Sequence, residues 1–289
     1  MPGWPWWKRC AMPAAYDALL ALDPVAFSRS LGIDPDPWQA DVLRWHGRRL
    51  ALNCARQTGK STAAATLALH RALYHRNSLI LLVSPSLRQS GELFRKVTDL
   101  MAGLAVRPHL DEDNRLSCQL ANRSRIVSLP SSEATIRGFS GASLIVEDEA
   151  SRVPDDLYRA VRPMLATSGG RLILMSTPFG KRGHFWEAWN AGGWERVEVP
   201  ATACPRISAD FLAEEQAALG PWWFKQEYGC EFVETSDSLF TFEETMGLAR
   251  PDIEPLFGGQ NELLSGRTGS RAGERLHRAG GSGEGWSDL

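Results

Sequence analysis

Leu50-Ala-Leu-Asn-Cys-Ala-Arg-Gln-Thr-Gly-Lys-Ser61 decides the fold. Its first five residues, apolar but for Asn53, have the length and character of a buried strand. A polar loop follows, and from Lys60 to His75 apolar residues recur at helical spacing. A strand, a tight loop and a helix in that order point successive backbone N–H groups at whatever sits before the helix, where the helix dipole favours negative charge. Gly59, Lys60 and Ser61 meet the three demands of a phosphate-binding loop: a tight turn, an ammonium for the β/γ oxygens and a hydroxyl for Mg²⁺. Arg56, Gln57 and Thr58 complete the loop, and Cys54 stands where its usual first glycine would be. A bare Gly-Lys-Ser/Thr triplet arises by chance in about one chain in ten of this length, so a surface turn before a helix is the competing reading.

Working outward, Ser78 to Ser84, Ser143 to Glu147 and Arg171 to Ser176 read as further buried strands, and Leu87 to Gly103 and Asp155 to Ala166 as helices between them. Such alternation predicts an α/β fold with a mostly parallel central sheet flanked by helices. Arg115 to Leu120 and Arg125 to Leu129 read as a hairpin or antiparallel edge. His184 to Ala191, Ala209 to Leu219 and Pro221 to Gly229 read as flanking helices, with Trp194 to Val199 as one more strand. Three regions are expected: an N-terminal extension with a lead helix over 1–33, the α/β domain over 34–240, and a linker with a Gly/Arg/Ser-rich tail over 241–289, too poor in apolar residues to fold. In the whole chain of 289 residues, 43% are hydrophobic and 23% charged, which excludes collagen-like, coiled-coil and wholly disordered classes. The net charge of −2 supports no claim of bulk affinity for nucleic acid, so any such contact must be local. Five scattered cysteines form no Cys-x-x-Cys pair and signal neither a disulfide framework nor zinc. No run of about 20 apolar residues predicts a membrane span.

The loop needs carboxylates to work with. Leu144-Ile-Val-Glu-Asp-Glu149 supplies them at the C-terminal end of a strand, where a parallel sheet places its ligand. Asp148 is the candidate Mg²⁺ ligand and Glu149 the candidate general base; Glu147 leaves a one-residue ambiguity, and the Asp-Glu-Ala order favours the later pair. Trp38 and Gln39 precede the loop by about twenty residues, where a glutamine amide fits an adenine edge; alone, Trp38 reads as a core residue. Ser176, Thr177 and Pro178 end the strand after the carboxylates, where small hydroxyls fit the γ-phosphate or its water.

In this order the motifs resemble the large terminase subunit of tailed double-stranded DNA phages, over roughly Asp34 to Phe240. The resemblance rests on Trp38-Gln39, Arg56 to Ser61, Ile136-Arg-Gly138, Asp148-Glu149-Ala150, Ser176-Thr-Pro178, Gly183 to Trp186, Val199-Pro-Ala201 and Phe224 to Phe232. In that family the first loop glycine is often replaced. The resemblance implies an additional-strand, RecA-like P-loop NTPase that hydrolyses ATP with Mg²⁺ to drive double-stranded DNA into a procapsid. It implies Arg56 acting on the phosphates within its own subunit, Arg137 as an arginine finger reaching a neighbour's site, and Ser176-Thr177-Pro178 coupling hydrolysis to movement. Implied partners are double-stranded DNA, the portal protein, the small terminase subunit and further copies forming a ring on the portal; no membrane is involved, and the host bacterial cytoplasm is the expected setting.

Large subunits of this kind also carry a nuclease, and the glycine-rich segment after Ser236 predicts none; an interrupted prophage gene is one account of that ending. The alternatives are a non-catalytic remnant or nucleotide-binding assembly module, and a helicase-like DNA-dependent ATPase, which needs a second RecA-like domain for which the chain has no room. Arg44, Arg48 and Arg49 read first as a solvated helix end, with phosphate contacts to duplex DNA as the alternative.

Overall fold

The computed structural model describes residues 14–130 and 138–234. Eight strands, β1 (Arg49–Cys54), β2 (Leu79–Ser84), β3 (Leu110–Asp113), β4 (Ser117–Leu120), β5 (Arg125–Pro130), β6 (Ala142–Asp148), β7 (Arg171–Ser176) and β8 (Glu195–Val199), form one sheet in the order β3-β4-β5-β2-β6-β7-β1-β8. From β5 to β8 all neighbours are parallel, whereas β3 and β4 pair antiparallel at one edge. The inner strands of the parallel part are covered on both faces and are rich in apolar residues, as in LILLV of β2, whereas the edge strand β8 is largely exposed. Alternate residues divide between two cores. Leu50, Leu52 and Cys54 pack beneath helix α4 (Lys60–Tyr74), while Ala51 joins Leu172, Leu174 and Phe185 on the opposite face.

Helices α1 (Ala14–Leu22), α2 (Pro24–Ser30), α3 (Pro37–Leu43) and α5 (Leu87–Ala102) lie with α4 on the first face. The expected lead helix is two helices, because Asp23 accepts from the Val25 N–H at 3.0 Å and Pro24 opens a new helix directly behind it. On the second face are α6 (Asp155–Val161) and α7 (Gly183–Asn190). The helix expected over Asp155 to Ala166 stops at Val161 and continues as a 3₁₀ turn, Arg162–Leu165, since Pro163 lacks the N–H that an α-helix needs. The flanking segment α8 (Ala209–Glu227) is two helical pieces joined at Gly220, whose φ of 75° is open to glycine, ahead of Pro221. The hairpin expectation holds for β4 and β5, turned at Arg123 with φ of 66°. Strand β3 carries no sequence signal of its own; three of its four residues are exposed and acidic. Arg137, the residues before Ala14 and the glycine-rich tail lie outside the described residues.

Candidate active site

Strand order places the chemistry. β7 lies between β1 and β6, so the loop after β1, Ser176-Thr177-Pro178 after β7 and Asp148-Glu149 after β6 emerge side by side at the strands' C-terminal ends.

The loop is held from several sides. Gln57 (φ 62°) and Gly59 (φ 95°) both adopt left-handed backbone. A Cβ on Gly59 would meet Gln39 Nε2 at 2.6 Å, so glycine is required by space as well as by φ. Thr58 Oγ1 donates back to the Ala55 carbonyl at 2.9 Å, and the Ala55 and Arg56 N–H groups donate to the Val199 and Glu227 carbonyls. Arg206 grips Asp36 through two hydrogen bonds and donates a third to the Thr58 carbonyl at 2.9 Å. Gln39 is buried; its Nε2 donates to the Gly59 carbonyl at 3.3 Å and its Oε1 accepts from the Asp36 N–H at 2.9 Å. Trp38 packs against the first core. Cys54 is wholly buried, and burial pushes its thiol far up, so the residue in the glycine's place is an inert part of the core.

Opposite the loop, Lys60 Nζ lies 2.8 Å from Glu149 Oε1. Burial alone would lower the Lys60 pKa, but Glu149, by charge and hydrogen bond, and then Asp148 outweigh it and hold it above the usual lysine value. Asp148 is pushed up to about 6 by burial and then by the Glu149 charge, with Lys60 opposing. The two glutamates part in space. Glu147 is fully buried and bonded to His184 Nε2, away from the loop, while Glu149 leaves the strand with φ of 53° and turns toward Lys60. Arg56 pairs with Glu227, whose hydrogen bond raises the Arg56 pKa. Arg152 stands 4.3 Å over the Phe179 ring and 3.9 Å from Glu227. Ser151 Oγ shares a 2.7 Å hydrogen bond with Ser176 Oγ and donates to the Thr177 carbonyl at 2.9 Å.

A cavity of about 390 Å³ opens among these groups, lined by Arg56, Gln57, Gly59, Lys60, Ser61, Thr62, Gln89, Lys96, Glu149 and Arg152. Four cations against one carboxylate, at a helix N-terminus, fit a polyphosphate. Ser61 and Asp148 supply the hard oxygen donors that suit Mg²⁺. The structure thus brings together Arg56, Gln57, Gly59, Lys60, Ser61 and Glu149 around one cavity, with Asp148 beside them; Gln39 and Thr58 brace the loop from behind. Sequence reasoning does not single out Arg206, Ser151, Arg152 or Glu227 individually. Ser151 and Arg152 follow the Asp-Glu-Ala triplet closely, and Glu227 lies within Phe224 to Phe232, but Arg206 carries no local signal.

Comparison with known proteins bears on this site. A family model described as terminase large subunit, T4likevirus-type, N-terminal, matches residues 52–246. The large terminase subunits of Thermus virus P23-45 and Thermus phage G20c are 27% and 26% identical to the chain over 253 residues, covering 74% of it and 52% of each relative. The chain therefore spans about half the length of the curated relatives it matches. Among solved structures, the large terminase ATPase domain of Thermus phage P74-26 is similar with a TM-score of 0.65 at 20% identity, over 72% of this chain and 97% of that one. The HK97 bacteriophage large terminase gives 0.61 at 17% identity, over 73% and 55%. The large terminase of a thermophilic bacteriophage, solved with ATP-gamma-S, gives 0.56 at 12% identity, over 68% and 52%. At these identities the structural likeness establishes the fold.

Proposed function

Because the chain belongs to the terminase large-subunit family of the T4likevirus type, through that family's N-terminal part, we propose that it hydrolyses ATP and uses the reaction to drive double-stranded DNA into a phage procapsid. The observation that carries the reading is the 2.8 Å contact of Lys60 Nζ with Glu149 Oε1 across a cation-lined cavity.

The backbone N–H groups of the loop and Arg56 hold the phosphates, while Gln39, whose amide is already bonded to the Asp36 N–H and the Gly59 carbonyl, keeps the loop in shape from behind instead of reading the adenine edge. Ser61 and Asp148 are the residues that would hold Mg²⁺, which supplies charge neutralisation on the β and γ oxygens. Lys60 serves two partners in turn. Without nucleotide it neutralises Glu149; when its ammonium turns to the β/γ oxygens, the Glu149 carboxylate is released to take a proton from water. That water's oxygen forms the new bond to the γ-phosphorus as the bond to the β-γ bridging oxygen breaks, giving ADP and phosphate. Arg137 is the candidate finger from a neighbouring copy, adding positive charge where the transferring oxygens become negative. Ser176-Thr177-Pro178 conveys the change to the rest of the domain. The partners proposed are double-stranded DNA, the portal protein, the small terminase subunit and further copies in a ring.

The deciding experiment compares Glu149→Gln with Lys60→Ala. Glu149→Gln is expected to bind ATP while turnover drops by about 100-fold or more, and Lys60→Ala to lose ATP affinity. Full hydrolysis by both variants overturns the assignment.

A further inference from the structure

The edge where the parallel strands begin lies opposite the nucleotide cavity and gathers several arginines, with Glu195 at the head of β8 as a nearby acid. A concavity of about 590 Å³ opens there, lined by Arg48, Arg49, Arg159 and Arg162 together with Pro163, Gly170 and others. Arg48 and Arg49 sit at the head of β1, and Arg162 directly follows α6. All four arginines are exposed. Only Arg159 has a carboxylate partner among the described residues, the exposed Asp156 at 3.1 Å. Arg162 lies over the Tyr158 ring at 5.5 Å.

Positive charge continues past this concavity. Arg171 heads β7, beside β1, and Arg71 lies in the last turn of α4, which runs back to the same edge. Arg71 Nε is buried with no hydrogen-bond partner, and burial lowers the pKa of both guanidiniums, that of Arg171 further through Arg71. Arg171 is turned to the Trp45 carbonyl and His46 Nδ1, neither of which cancels a charge. Like charges held together with few counter-charges are unfavourable unless an anion joins them. Arg44 differs from its neighbours. Two hydrogen bonds at 3.0 and 2.8 Å tie it to Asp23, so the run Arg44, Arg48, Arg49 divides into one neutralised residue and two open ones.

We propose that this basic edge binds the phosphodiester backbone of duplex DNA, with Arg48, Arg49 and Arg162 as its central contacts. The proposal rests on the motor reading for the choice of polyanion. Planar guanidinium forks suit phosphate oxygens in two-point contact. Cations strung along an edge over two strand heads and two helix ends suit a linear polyanion better than a single small anion. Such contact is sequence-independent, as a motor moving along any DNA requires.

The test measures binding of a labelled duplex to the full chain by fluorescence anisotropy as salt rises from about 50 to about 200 mM. Arg48→Gln/Arg49→Gln should make the slope of log affinity against log salt shallower by about 2, each phosphate contact being worth roughly 0.9. Arg162→Gln should remove about 1 more by the same rule. Arg44→Gln, whose charge Asp23 already neutralises, should leave the slope as it is, and ATP turnover without DNA should match the unsubstituted protein in every variant. An unchanged slope in the double variant, or no duplex binding at low salt, overturns the proposal. Tighter binding of poly-glutamate than of duplex at matched charge also overturns it, marking the edge as a protein contact. Turnover that Lys60→Ala abolishes, alongside an unchanged slope, sinks this proposal and leaves the ATPase reading standing. Absent turnover with the slope loss intact does the reverse.

Discussion

Ser151 Oγ and Ser176 Oγ lie 2.7 Å apart, joining the turn after Asp148 and Glu149 to the end of the neighbouring strand. Ser176 Oγ also accepts from the Ser151 N–H at 3.3 Å, and Ser151 Oγ donates to the Thr177 carbonyl. The side chain two positions after Glu149 is thus bonded directly to Ser176 and Thr177. Ser151→Ala is expected to keep most ATP turnover in the absence of DNA and to lose most of its stimulation by duplex. In a double-mutant cycle with Ser176→Ala, the two substitutions should be non-additive by about 0.5 kcal/mol or more. Additive effects with stimulation intact would remove Ser151 from the coupling route.

Arg206 braces the nucleotide loop without lining the cavity, through Asp36 and the Thr58 carbonyl. Its substitution should therefore act on binding. Arg206→Ala removes two charge-assisted hydrogen bonds and one to a carbonyl, and, because it acts through the loop, is expected to raise KM for ATP by about 3- to 10-fold with kcat nearly unchanged. Arg206→Lys should recover little, because an ammonium cannot span both Asp36 oxygens and the carbonyl. A variant that lowers kcat at constant KM would place Arg206 in the chemical step instead.

These two residues also mark where sequence reading stops. β1, β2, β6 and β7 are legible because each is buried on both faces and so appears as an apolar run. β3 is not, since an exposed edge strand of Leu110-Asp-Glu-Asp113 carries no such run. Helix α3 is only seven residues long, too short for periodicity to show. The loop and its carboxylates are legible because their spacing is local. Arg206 lies 148 residues from Thr58 and Glu227 lies 171 from Arg56, contacts that only the packed fold can create. The choice between Glu147 and Glu149 depends on backbone. Strand alternation puts both on one face, and only the left-handed turn at Glu149 separates them.

That separation leaves Glu147 in a buried group of its own. His184 is bonded through Nε2 to Glu147 and through Nδ1 to Asp155 at 3.0 Å, and it stacks on Tyr158 with 4.5 Å between ring centres. His184→Phe should strand Glu147 without a partner and cost about 3 to 5 kcal/mol, as breaking one side of a buried ion pair does. Thermal unfolding should fall by roughly 2 to 4 °C per kcal/mol. Adding Glu147→Gln should recover part of the loss by removing the buried charge. A stability change within about 0.5 kcal/mol of zero would show that the pair contributes nothing.

His184 and His70 shape the pH dependence of stability in opposite directions. Burial lowers the His70 pKa to about 4, with its Nε2 held 2.9 Å from the Leu20 carbonyl. In the unfolded chain it titrates near 6.5, so between about 6.5 and about 4 the unfolded state holds the extra proton. Its contribution is fully present above about 6.5 and is lost as the pH falls through that window, a loss of order 3 kcal/mol. His184 works the other way. Burial alone would lower its pKa, but Glu147 and then Asp155 outweigh it and raise it, so its contribution is complete below the unfolded value and fades as the pH climbs through the raised folded one. Urea unfolding followed across pH should therefore show an acid limb that flattens in His70→Gln and an alkaline limb that flattens in His184→Gln. Loss of the acid limb in the His184 variant alone would reverse the assignment.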